Sequence, residues 1–172
     1  MGRPSRIFDR LGTASRPPVS GRLAGRAVVL GGSIAGLLAA RVLSDHVDEV
    51  IIVEPDTLLD DAAPRHGVPQ ARQVHTLLSA GRVQLDRWYD GFSDELLAGG
   101  AGWATPQNSR VYYNGRLKVP VPGSGMVMST RPFLEAVLRR RALALPNLRV
   151  VRGRAVGLDV VGKAVAGVVL DD

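Results

Sequence analysis

The chain has 172 residues, enough for one domain or a little more, and 45% of them are hydrophobic, which argues against a disordered polymer. It contains no cysteine, so disulfide frameworks, thiolate metal sites and thiol nucleophiles are excluded. The net charge of +6 is concentrated near the N-terminus, where six arginines (Arg3, Arg6, Arg10, Arg16, Arg22, Arg26) face a single acid, Asp9; the remainder is nearly neutral, so a basic nucleic-acid-binding face is not expected.

Residues 1–25 are rich in Arg, Pro and Ser, lack the apolar centre of a signal peptide, and read as a disordered tail. Ala27, Val28, Val29 and Leu30 form a short apolar run ending at Gly31 and Gly32, the pattern of a buried parallel strand. A helical pattern follows from Ile34 to about Asp45. Val50, Ile51, Ile52 and Val53 make a second buried strand closing at Glu54, so strand, helix and strand compose a βαβ unit. Residues 55–69 form a long polar connection with Pro64, Gly67 and Pro69. A helix is expected over 71–89 and a further helical turn over 92–98.

The alternating runs at 109–113 and 116–119 flank Asn114-Gly115, a strong hairpin signal. Residues 120–129 read as a Gly/Pro loop. Pro132 is suited to the first residue of a helix, with Leu134, Val137, Leu138 and Leu145 on one face and Arg139, Arg140 and Arg141 as a solvated one. Strands are expected at 148–151, 155–161 and 164–170, the last two joined at Gly162-Lys163. No apolar run approaches the ~20 residues of a membrane helix, and the three histidines form no metal cluster.

The chemistry-bearing segment is Gly31-Gly32-Ser33-Ile34-Ala35-Gly36, between a strand and a helix. A dinucleotide-binding turn needs a glycine for the tight turn, a second for close helix–strand packing, and helix N-terminal amides aimed at a diphosphate. Ser33 stands where the usual pattern has its middle glycine. It is small, and its hydroxyl is capable of donating to a phosphate. Glu54 ends the second strand, where a carboxylate can accept both ribose hydroxyls of an adenosine and repel a 2′-phosphate.

Beyond this unit, Arg65-His66-Gly67-Val68-Pro69-Gln70-Ala71-Arg72, followed by His75, Leu77, Leu78 and Gly81, resembles a block of bacterial FAD-dependent monooxygenases, the group of aromatic hydroxylases, polyether epoxidases and squalene epoxidases. Ser129-Thr130-Arg131-Pro132-Phe133-Leu134-Glu135 resembles that group's helix entry, and the strands ending Val165-Ala166-Gly167-Val168-Val169 its following meander. The resemblance implies an α/β fold: a Rossmann-like FAD-binding βαβ unit in a parallel sheet, with an inserted β-hairpin and a C-terminal β-meander, over residues 26–172. It implies FAD as cofactor, its diphosphate held at Gly31, Gly32, Ser33, Ile34, Ala35 and Gly36 and its adenine ribose at Glu54. Arg65 would lie in a loop near the flavin and Arg131 near the ribityl or phosphate region.

The activity implied is transfer of one oxygen atom from O2 to an alkene or electron-rich ring of a small organic substrate, with NAD(P)H as co-substrate, in the cytoplasm. No catalytic side chain is assigned. Arg72 and His75 either flank the flavin or are polar residues on the first turn of a helix. Trp88, Tyr89 and Trp103 are expected in the core or an interface. A later Gly-Asp motif typical of the group does not occur, so the chain is expected to be a truncated frame or fragment, incomplete relative to the family. The competing readings are an NAD-linked reductase domain and a non-catalytic nucleotide-binding remnant.

Overall fold

A computed structural model describes residues 15–19, 21–58, 62–65, 67–119 and 125–171. Most of the expected tail, His66, parts of the loops at 55–69 and 120–129, and Asp172 lie outside the described residues. In chain order the elements are β1 (Ala24–Leu30), α1 (Ile34–Ser44), β2 (Val47–Glu54), β3 (Val74–Leu77), α2 (Ser79–Trp88), α3 (Phe92–Ala98) and β4 (Gly102–Ala104). They continue as β5 (Tyr112–Tyr113), β6 (Arg116–Leu117), β7 (Met126–Thr130), α4 (Arg131–Leu143), β8 (Leu148–Arg152), β9 (Ala155–Val161) and β10 (Ala164–Leu170). No described helix is long and apolar enough to cross a membrane.

The chain divides into two compact units, one of Pro18–Ala71 with Glu135–Asp172 and the other of Arg72–Leu134 with Met1–Pro17. The first carries a parallel sheet in the order β1-β2-β8, with β2 central. Alignment is in register from Ala24 opposite Val47 to Leu30 opposite Val53, and from Val50 opposite Leu148 to Glu54 opposite Arg152. Val50 and Ile52 are fully buried and Ile51 and Val53 nearly so, as the unbroken apolar run of β2 requires of a strand covered on both faces. In α1, Leu37, Ala40 and Arg41 share the buried face at helical spacing. Arg41 is accommodated there by pairing with Asp45 Oδ1 at 2.9 Å and Ser44 Oγ at 3.0 Å. The side-chain amide of Asn147 closes the α1–β2 turn by donating to the carbonyls of Ser44 (3.0 Å) and Val47 (3.1 Å).

Two expectations for this unit are corrected. β1 is not buried throughout: Val29 faces α1 and is covered, whereas Val28 and Leu30 on the alternate face are 38% and 54% exposed, because β1 lies at the sheet edge. The triple arginine is not a uniformly solvated face, since Arg139 is 2% exposed. After β8, β9 and β10 pair antiparallel with each other, turning at Gly162.

In the other unit β3, β7 and β4 form an antiparallel sheet with β7 central. The helix expected over 71–89 therefore starts only at Ser79, because Val74 to Leu77 pair with β7 instead; Val74 and Thr76 point out while His75 and Leu77 turn inward, a two-residue period. The loop expected over 120–129 likewise ends in a strand, Met126–Thr130, whose Val127 is fully buried. The helix after it begins at Arg131, one residue before Pro132. The hairpin is present, shorter than expected, with Asn114 (φ 49°) and Gly115 (φ 74°) in its turn. Tyr89 is buried and packs against Phe92 with ring centroids 6.1 Å apart. Trp103 is 40% exposed rather than core, with the Arg82 guanidinium over its ring at 5.4 Å. Arg16, from the basic tail, donates to the carbonyls of Arg87 (3.3 Å) and Trp88 (3.0 Å) at the end of α2, where the helix dipole favours a cation.

Candidate nucleotide-binding site

The glycine turn joins β1 to α1 and is pinned to β2 by Gly31 N–H donating to Val53 O at 2.8 Å. Gly31 has φ +99°, a conformation that a side chain would strain. At Gly36 a Cβ atom would stand 1.8 Å from the carbonyl oxygen of Gly31, so no other residue fits without moving the helix off the strand. Ser33 occupies the N-cap position in extended conformation, but no side chain caps the helix and its first turn holds no acid. The helix start therefore keeps its positive dipole end unneutralised by its own sequence. Ile34 and Gly36 are half-buried there and Ala35 is exposed.

Glu54, at the end of β2, is 6% exposed and organises the turn from inside. Its Oε2 accepts from Gly32 N–H at 2.5 Å, and its Oε1 accepts from Asp56 N–H at 3.0 Å and pairs with Arg65 Nη2 at 3.0 Å. Arg65 is the hub of a larger cluster. Its Nη1 donates to Glu135 Oε1 at 2.6 Å and to Gly32 O at 3.2 Å, and its Nη2 lies 3.4 Å from Asp56 Oδ2. Burial works against the charged guanidinium, but hydrogen bonds to Glu135 and Glu54 outweigh it, so the Arg65 pKa is raised above the ordinary arginine value. Asp56 Oδ2 also accepts from Gly67 N–H at 3.3 Å, tying the loop that carries Arg65 to the end of β2. Glu135 closes the set by accepting from Ser33 Oγ at 3.3 Å. In this arrangement the amide of Gly32 serves Glu54 and the hydroxyl of Ser33 serves Glu135, which leaves a diphosphate to the amides that follow.

Of the residues expected at the site, Gly31, Gly32, Ser33, Ile34, Ala35, Gly36, Glu54 and Arg65 come together in this unit. Arg131 belongs to the other unit, with its Nη1 3.2 Å from His75 Nε2. His75 Nδ1 is 3.3 Å from Gln73 O, so the pair of contacts assigns the ring proton to Nδ1 and makes Nε2 the acceptor. Arg72 is exposed. Asp56 and Glu135 are site residues that sequence reasoning missed. The signal for Asp56 was an acid two residues past Glu54. For Glu135 the sequence offered only the general need of a buried arginine for carboxylate partners. Among the described residues no group of three or more His, Asp or Glu is placed to hold a metal ion.

No family model matches the sequence. A Mycobacterium tuberculosis protein, Protein Rv3254, is 37% identical over 132 residues, covering 73% of this chain and 28% of that protein. A crystal structure of 2-methyl-3-hydroxypyridine-5-carboxylic acid oxygenase is 27% identical with a TM-score of 0.54, covering 80% of this chain and 34% of that one. The fold is that of the FAD-dependent monooxygenases. The p-nitrophenol 4-monooxygenase PnpA of Pseudomonas putida DLL-E4 shares it at 22% identity, TM-score 0.56, with 81% of this chain and 34% of that one covered. The chain thus spans about a third of each of these two solved chains, and its flavin-monooxygenase likeness rests on that third.

Proposed function

We propose that this chain forms the FAD-holding part of a flavin-dependent monooxygenase, a hydroxylase or epoxidase that uses NAD(P)H and oxygen on a small organic substrate. The observation that carries the reading is the start of α1: an uncapped, acid-free helix N-terminus, brought against β1 by a glycine that admits no Cβ, beside a carboxylate at the end of β2. That arrangement fits a dinucleotide. The amides of Ile34, Ala35 and Gly36 would hold the diphosphate. Glu54 would keep the Gly32 amide while offering the rim of its carboxylate to the adenine ribose, and Arg65 would supply the fixed positive charge nearest the turn. With Glu54 and Asp56 both at this edge, a nucleotide bearing a 2′-phosphate is disfavoured.

Bound FAD supplies the redox and oxygen-transfer chemistry, whereas this chain's own residues bind and orient it. By the family resemblance alone, Arg131, whose Nη1 lies 3.2 Å from His75 Nε2, would serve the ribityl or phosphate region. The two solved relatives act, by their names, on a hydroxypyridine carboxylic acid and on p-nitrophenol, which supports a small aromatic or electron-rich substrate. The test is the visible spectrum of the purified chain followed by titration with FAD and, separately, NAD. Yellow protein or saturable FAD binding supports the proposal. Tight NAD binding with no flavin points to a reductase domain, and binding of neither points to a non-catalytic remnant.

A further inference from the structure

We propose that Glu135 is a positioning residue for the nucleotide turn, acting through Arg65 and Ser33 rather than by touching the ligand. The inference rests on the FAD reading above. Glu135 reaches the turn from α4, 70 positions from Arg65 and 102 from Ser33, and is 2% exposed. Its two oxygens divide the work: Oε1 takes Arg65 Nη1 at 2.6 Å and Oε2 takes the Ser33 hydroxyl at 3.3 Å.

A guanidinium is planar and rigid, so anchoring both terminal nitrogens fixes its plane. Glu135 and Gly32 O hold Nη1, while Glu54 and Asp56 hold Nη2. Loss of the Glu135 carboxylate leaves the strongest charged partners on the Nη2 side. Arg65 then swings toward Glu54 and Asp56, rotating away from Gly32 and competing for the carboxylate assigned to the ribose. The same loss takes the Glu135 acceptor from the Ser33 hydroxyl at the N-cap, where a serine oxygen can turn back to cap the amides of the first turn. Both changes obstruct the same diphosphate position.

The test is a double-mutant cycle on FAD dissociation constants, using the full chain with Glu135→Gln, Arg65→Lys and their combination, each checked by circular dichroism and thermal melting. Each single change is expected to weaken FAD about tenfold, and the double variant to bind within about twofold of Arg65→Lys alone, because partners in one network do not add. Ser33→Ala, which leaves every ion pair intact, is the second probe: it should change affinity by at most a few-fold in the wild-type background and restore part of the lost affinity beside Glu135→Gln, because the hydroxyl that caps the first turn is then gone. Additive losses in the cycle, or unchanged affinity in Glu135→Gln, overturn the positioning role while leaving the FAD reading intact. A wild-type chain that binds no FAD sinks both.

Discussion

Among the described glycines Gly36 is the one whose identity the structure dictates most strictly, since an added methyl group would overlap the Gly31 carbonyl oxygen, far inside van der Waals contact. Gly36→Ala is therefore expected to push α1 off β1 at a cost of about 3 kcal/mol or more, larger than ordinary overpacking; urea denaturation measures it, and a loss under 1 kcal/mol would contradict the geometry. Arg65 carries a different kind of constraint. Its side chain is 9% exposed between carboxylates that are themselves buried, so Arg65→Ala leaves Glu54 and Glu135 without their shared cation. Removing one partner of a buried ion pair costs about 3–5 kcal/mol, and the melting temperature should fall accordingly. Arg65→Lys, with one charge and no planar fork, should restore part of that stability. At this scale the sequence was informative wherever chemistry is local. Gly31, Gly36 and Glu54 stand within 24 positions of one another, and their spacing is the motif. Asp56 and Glu135 were not legible as site residues, because their partner is a guanidinium that the fold brings from 9 and 70 positions away.

At the scale of elements, β2 anchors the nucleotide unit. Ile52 is fully buried, so Ile52→Ala removes buried methylenes in the middle of the sheet and should destabilise by about 2–5 kcal/mol, read from the denaturation midpoint at constant m-value. The sheet is also laced on its exposed side by Glu49, which accepts from Arg149 Nε at 2.5 Å on β8 and from Arg26 Nε at 2.6 Å on β1. Hydrogen bonds to Arg149 and then Arg26 hold the Glu49 pKa below its ordinary 4.5. A carboxylate with a depressed folded pKa contributes stability that is present above the unfolded value and fades as pH drops through the folded one. Glu49→Gln should therefore flatten the acid limb of the stability–pH curve below 4.5, and salt should shrink the difference, because the pair is solvent-exposed. An unchanged acid limb would show that these contacts carry no net free energy. The elements themselves were legible where local periodicity and tertiary pairing agree, as in β2, α1, β9 and β10. The sequence reading differs from the structure at 74–77 and 126–130, where two short segments become strands by pairing with each other across some fifty residues, the second also with β4.

Across the whole molecule the two units differ in what the sequence made visible: the nucleotide unit follows from a contiguous motif, whereas the sheet of β3, β7 and β4 rests on non-local pairing. The same scale exposes an apolar surface that no local pattern explains. Val156, Leu158 and Val160 lie on one face of β9 by alternation and are 60%, 56% and 55% exposed, and Val165, opposite Val160 on β10, is 63% exposed. A contiguous strip of β-branched and leucine side chains on a two-stranded ribbon favours association between chains, both through apolar contact and through the open backbone edges of the ribbon. The purified 172-residue chain should consequently sediment as a mixture whose average mass rises with concentration. Leu158→Thr with Val160→Thr keeps β-compatible side chains while removing apolar area, so it should shift the chain toward monomer without weakening FAD binding, since neither residue belongs to the nucleotide turn. A wild-type chain that sediments as a monomer at every concentration would show that this strip does not drive association, and a loss of FAD affinity in the double threonine variant would show that the hairpin and the turn are energetically linked.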